Sequence, residues 1–180
     1  MAEIRIQFDD QDCKLEDLKP FEVSLLKRSI AIAQESKESG NHPFGCLLAD
    51  AAGKILLEQG NTEVTGHGDC TGHAETQLMR RASQIYSKEE MSKFTMYSCC
   101  EPCAMCTGAM YWGNLGRMIY VCRESELKKV TGDDPRNPTL NLPCRAVIKC
   151  GQKNIEILGP VFELEPDFLK LHQDYWEKSK

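Results

Sequence analysis

The residues of this 180-residue chain best suited to chemistry crowd into one stretch, SCCEPCAMCTGAMYWG at 98–113, which carries Cys99, Cys100, Cys103 and Cys106. Four chemistries compete for such a set: a disulfide staple, an iron–sulfur cluster, a closed structural zinc, or a catalytic metal with an open coordination position. The opening Met1-Ala2-Glu3-Ile4-Arg5 reads as no signal peptide, and no apolar run approaches the roughly 18 residues of a membrane span. The expectation is a cytoplasmic protein without membrane contact, in a compartment where thiols stay reduced, which disfavours the staple. The remaining cysteines, Cys13, Cys46, Cys70, Cys122, Cys144 and Cys150, stand singly and are expected to act as small core hydrophobes. Cys100, Cys103 and Cys106 begin a ferredoxin-like run, but its fourth ligand would fall at Met110. A structural zinc wants a second close pair, and the chain offers no second C-x2-C or H-x3-H.

A catalytic zinc needs three protein ligands and an open fourth position. Cys103 and Cys106 supply two, and four histidines compete for the third. His172 falls in a terminal helical pattern beside aromatic residues, as a packing or surface group. His42 precedes Pro43 in a loop, and His67 sits in a Gly-rich loop close enough to the site to touch a substrate. His73 opens a helical pattern as Gly72-His73-Ala74-Glu75. His-x-Glu followed by Pro-Cys-x-x-Cys is the signature of zinc-dependent nucleobase deaminases. The metal acidifies water, in favourable sites to a pKa of about 7. Two thiolates weaken that effect by cancelling the metal's charge. Placement at a helix start offsets the loss, because the positive helix end stabilises thiolates. Glu75 would take the proton from water and pass it to a ring nitrogen and the departing amine. Its plainer role is a first-turn carboxylate complementing the helix dipole. Residues two apart on a helix do not share a face, so spacing alone does not bring Glu75 and His73 together. Glu101, before Pro102, suits backbone bonding better than catalysis.

These residues need a scaffold. Val23, Leu26, Ile30 and Ala33 mark a helix over 20–39 that Gly40 stops, after an alternating start at Ile4, Ile6 and Phe8. Residues 46–49 and 55–57 flank Asp50-Ala51-Ala52-Gly53 as a hairpin, and 60–72 is a loop long enough to be functional. Ala74, Leu78, Ala82 and Ile85 mark a second helix. Strands at 94–97 and 117–122 enclose a helix with Pro102 as its first residue and Gly113 just past its end. Strand, helix and strand in that order imply a right-handed crossover and a parallel pair. A loop over 131–143, a strand at 155–158 and a helix over 165–178 complete an α/β pattern, a mixed sheet with helices on its faces. At this length one domain over 1–180 is expected, burying roughly 70% of its extended surface. Twenty-two Lys and Arg against 27 Asp and Glu leave a net charge of −5 with no basic concentration, which argues against a large nucleic-acid ligand.

The chain resembles the cytidine deaminase-like superfamily, and within it the bacterial guanine deaminase and nucleoside deaminase branch. The resemblance runs through Pro43-Phe44-Gly45, Asn61, 71–75, 100–106, 108–112, Thr131-Gly132-Asp133, Asn137-Pro138-Thr139-Leu140, Gly159-Pro160-Val161 and Tyr175-Trp176. It implies a three-layer α/β/α fold with a mixed sheet of about five strands, and one Zn2+ per chain held by His73, Cys103 and Cys106. It also implies Glu75 as proton shuttle, with Asn61, Ala74, Phe44 and Trp112 contacting the base. For Trp112 the alternative is a buried aromatic ending its helix, and for Phe44 core packing. Relatives of this kind are homodimers in which a partner's C-terminal segment, including an acidic residue, closes the pocket; Asp133 and Asp134 are the nearest candidates for that residue, and the tail at 160–180 is expected to pack on a partner subunit. The loop at 66–70 departs from the family pattern. Guanine to xanthine plus ammonia is the expected reaction. The alternatives are adenosine in tRNA, guanosine, cytosine or another amino-heterocycle, and a zinc-stabilised scaffold without activity.

Overall fold

A computed structural model describes residues 13–177. The alternating start at Ile4, Ile6 and Phe8 lies outside the described residues. Pro20 opens α1 (Pro20–Glu38), where its missing N–H leaves no bond unmade. Gly40 follows the helix at φ +91°, a conformation that a side chain would resist. β1 (Gly45–Ala49) and β2 (Ile55–Gly60) form the expected hairpin. Its turn is closed by the Asp50 carboxylate, which accepts the N–H groups of Ala52 and Lys54 at 2.9 and 3.0 Å. The chain continues through α2 (Ala74–Ile85), α3 (Lys88–Met91), β3 (Thr95–Cys100), α4 (Ala104–Trp112) and β4 (Arg117–Cys122). It ends with α5 (Glu124–Thr131), α6 (Cys144–Lys149), β5 (Glu156–Leu158) and α7 (Glu165–Glu177).

The five-stranded sheet has the order β2-β1-β3-β4-β5. β1 runs antiparallel to β2 and β3, and β3, β4 and β5 run parallel. Leu47, Ala49, Tyr97, Cys99, Ile119 and Val121 pack on one face with Leu26 of α1 and Phe168 of α7. Cys46, Leu48, Met96, Met118 and Tyr120 pack on the other with Leu78 of α2, Met110 of α4 and Ile148 of α6. Burial on both faces explains why β3 and β4 read as continuous apolar runs rather than as alternating ones. The result is the three-layer mixed sheet that the resemblance implies. Gly45 is required where β1 crosses α1, since a Cβ there would come within 2.5 Å of the Ala33 nitrogen. Among the described residues no helix is long and apolar enough to cross a membrane.

Three helices have no counterpart in the sequence reading, for physical reasons. α5, ESELKKVT, buries only Leu127 and Thr131, so it lacks an apolar stripe. α6 is six residues long, and α3 four, too short for a period to show. α5 and α6 share one tertiary support: the Glu101 carboxylate accepts the first helical N–H of each, from Glu124 at 3.3 Å and from Cys144 at 2.9 Å. Glu101 thus bonds backbone, as its position before Pro102 suggested. α7 packs on its own chain's sheet, burying Phe168, His172 and Trp176. His172 is a packing group, donating from Nε2 to the Pro43 carbonyl and accepting the Trp176 indole N–H, both at 3.0 Å.

Candidate active site

Two helix starts meet at the end of β3, the central strand of the sheet. His73 is the residue before α2 and Cys103 the residue before α4. Both have extended backbones, with ψ of 141° and 172°, and neither side chain caps its own helix. The helix beginning at Ala104 corrects the expectation that Pro102 is its first residue. The extended Cys103 intervenes, its carbonyl accepting the Thr107 N–H at 2.9 Å. Freed from capping, the two side chains turn toward each other. His73 Nδ1 lies 3.6 Å from the Sγ of Cys103 and of Cys106, and the two sulfurs are 3.6 Å apart. A tetrahedral zinc with bonds of about 2.3 Å to sulfur and about 2.0–2.1 Å to nitrogen has edges of about 3.6–3.8 Å between ligand atoms. The donor set therefore fits zinc in type and in spacing, with a fourth position for water or substrate.

Electrostatics tie the three side chains to one another. Cys106, bonding to its sulfur, and His73 beside it draw the Cys103 thiol down to about 4 against the effect of burial. The hydrogen bond with Cys103 lifts His73 to about 9. Thr76 Oγ1 donates to Cys106 Sγ at 3.2 Å. Glu75 is only 5% exposed; its Oε1 accepts from Ser98 Oγ at 2.8 Å and its Oε2 lies 3.4 Å from Cys106 Sγ. The spacing objection to His73 and Glu75 dissolves because His73 stands outside the helix. Burial pushes the Glu75 carboxyl above its ordinary range, against the pull of its backbone bond, His73 and Ser98.

The family model described as the cytidine and deoxycytidylate deaminase zinc-binding region matches residues 21–122, a span that holds all of these side chains. The chain belongs to this deaminase family. A probable cytosine deaminase of Schizosaccharomyces pombe is 30% identical over 164 residues, covering 91% of this chain and 98% of that protein. The guanine deaminase of Bacillus subtilis is 31% identical over 113 residues, 62% of this chain and 70% of that one. The solved structure of a guanine deaminase from Nitrosomonas europaea covers 89% of this chain and 94% of its own, with a TM-score of 0.69. At 17% identity that likeness speaks to the fold.

Around the deaminase cluster lie a small inner cavity of about 30 Å³ and an outer groove of about 850 Å³. Phe44, Asn61, Ala74, Glu75 and Cys100 line the inner cavity, so four of the residues implied to contact or act on a base are gathered there. Phe44 does both things considered for it, since it also packs on His172 with ring centres 4.9 Å apart. Cys100 forms part of the cavity wall, whereas Cys99 packs on the α1 side and accepts the Gly45 N–H at 3.2 Å.

Trp112 and His67 correct two expectations, and Asp134 has a partner within its own chain. Trp112 is 73% exposed and lines neither space. It ends α4, six residues beyond Cys106, and at 1.5 Å per residue its backbone lies roughly 9 Å further along the helix than that ligand. It is not a buried helix end either. Asp134 meets the Arg136 guanidinium at 2.6 and 2.9 Å. Asp133 is exposed. His67, at φ +61°, is exposed and lines neither the cavity nor the groove.

Two carboxylates that sequence reasoning missed border the site. Glu63 accepts from Asn61 Nδ2 at 2.6 Å, and lies 3.9 Å from both His73 Nε2 and His42 Nε2. His42 Nδ1 in turn meets the Tyr175 hydroxyl at 2.9 Å, linking the cluster to α7. The one available signal for Glu63 was its place two residues after Asn61. Glu124 lines both the cavity and the groove. Burial first, then Cys103, Glu101 and Glu75, push it up to about 7. In sequence it is one charge in the unrecognised α5.

Proposed function

We propose that this family member is a zinc-dependent hydrolytic deaminase of a free amino-oxo heterocycle, with guanine the leading substrate and xanthine and ammonia the products. The observation that carries the reading is Glu75, a buried carboxylate kept beside the His73–Cys103–Cys106 cluster and oriented by Ser98. A scaffold would gain nothing from a carboxylate held in so costly a place.

One zinc per chain, held by the three ligands, would supply the Lewis acidity that makes water nucleophilic at neutral pH. Glu75 takes a proton from the attacking water and delivers it to the ring nitrogen beside the amine-bearing carbon. As the carbon–nitrogen bond breaks, the second proton passes through the same carboxylate to the amine, which leaves as ammonia. The raised affinity of Glu75 for protons serves this relay. Ala74 and Phe44 wall the reacting end, and Asn61, held by Glu63, orients the ring. The inner cavity has room for a water-sized group and the groove for a ring, so the reacting carbon belongs at their junction.

Glu63 and Glu124 border the groove, which opposes a phosphate backbone and disfavours the tRNA alternative. Cytosine is the second reading, favoured by the relative named for it that spans 91% of this chain. The test is ammonia release by zinc-loaded protein from guanine, cytosine, guanosine and adenine, with Glu75→Ala as control. Turnover of guanine that falls by at least about 10²–10⁴-fold in the control is the expected result. Turnover of guanosine alone would overturn the free-base reading, and no turnover of any ring would overturn the reaction.

A further inference from the structure

Most polar groups around the inner cavity already have partners. Asn61 is engaged by Glu63, both Glu101 oxygens accept backbone N–H groups, and Glu75 is bonded by Ser98. Two side chains at the junction of cavity and groove retain capacity. Asn137 Nδ2 is buried and has no hydrogen-bond partner among the described residues. Glu124 has a weak donor at one oxygen, the Cys100 thiol at 3.8 Å. A buried amide donor left unpaired costs about 1–3 kcal/mol, so its retention calls for an acceptor that the fold itself does not provide.

The backbone around Asn137 is held in place. Its N–H donates to the Asp134 carbonyl at 3.0 Å, and Pro135 and Pro138 bracket it. The Asp134–Arg136 pair ties this turn to α7, where Arg136 reaches the Trp176 carbonyl at 3.3 Å. Asp134 is thereby part of the support for its neighbour Asn137.

We propose that Asn137 and Glu124 read the lactam edge of the substrate ring, Asn137 Nδ2 donating to the exocyclic carbonyl and Glu124 accepting the adjacent ring N–H. Guanine and cytosine both carry such an edge. Adenine has no carbonyl and would leave Asn137 unpaired. The pair is a specificity determinant, and the inference rests on the deaminase reading above.

The test uses zinc-loaded Glu75→Ala protein, in which binding is separated from turnover, and calorimetry with two matched pairs of rings. Guanine is set against 2-aminopurine, and cytosine against 4-aminopyrimidine, each second ring lacking the carbonyl and its neighbouring N–H. The lactam ring of the pair that the active protein deaminates is expected to bind at least about tenfold more tightly than its partner, the worth of one good hydrogen bond. Adding Asn137→Ala should weaken the lactam ring about tenfold and leave the partner within about twofold. Asn137→Asp, which keeps the shape and removes the donor, should do the same, and Glu124→Ala should act in the same direction. Equal losses for both rings, or none, would overturn the assignment while the deaminase reading stands. Rings that neither bind nor react with the active protein would overturn both.

Discussion

The metal cluster and the rim around it are built in contrasting ways. The cluster comes from two helix starts, with α2 and α4 packed through Leu78 and Met110 into the core beneath the sheet. The rim comes from loops at 61–72 and 132–143, from the start of α5 and from α7, joined by polar links such as Asn61–Glu63, His42–Tyr175 and Asp134–Arg136. Chemistry that must hold ligand atoms to a few tenths of an ångström is carried on packed elements. Recognition, which differs between one ring and another, is carried on connections that can change without disturbing the core.

The comparison can be broken at the cluster first. Cys106→Ser should abolish stoichiometric zinc by metal analysis and lower kcat/KM by more than about 10³-fold, since both thiolates are needed to complete the set. Full zinc and activity in this variant would mean that the metal is held elsewhere.

A smaller loss is expected where cluster and rim touch. Glu63 faces the nitrogen of His73 that is turned away from the sulfurs, at 3.9 Å, and Glu63→Gln should weaken zinc about 10–100-fold in a chelator competition. An unchanged zinc affinity would place Glu63 wholly on the recognition side.

α7 sharpens the contrast through pH. Burial pushes His172 down to about 3, and its neutral ring accepts the Trp176 N–H, a bond that protonation breaks. Because the unfolded histidine takes up its proton near 6.5, this contribution is fully present above about pH 6.5 and is lost as pH falls toward 3. Unfolding followed from pH 7 to 4 should show a shallower acid loss in His172→Gln than in the parent. Equal slopes would assign the loss to other groups.

The smallest effect belongs to Trp112. Trp112→Ala should leave kcat/KM within about twofold, as befits an exposed side chain outside the cavity and the groove. A loss above tenfold would show that this end of α4 reaches a substrate after all.

Legibility followed the same division. α1, the hairpin, α2 and the β3–α4–β4 crossover were readable because apolar periodicity and punctuation by Pro20, Gly40 and Gly113 are local signals. His73, Glu75, Cys103 and Cys106 were readable because a metal demands particular residue types at short spacings. α5 and α6 were not, since their starts are held by Glu101, 23 and 43 residues away in the chain. Trp112 was misplaced because motif spacing says nothing of how far along a helix a side chain lies from the ligands.

The sequence by itself determined the family, the donor set and the layered α/β pattern, all of which depend on residue type and near-neighbour spacing. Only the tertiary structure decided that His73 and Glu75 converge, that Asp134 serves Arg136, and that Glu63, Glu124 and Asn137 border the site. Those outcomes depend on where separate loops and helix starts meet in space, and contacts across such distances leave no periodic mark in the chain.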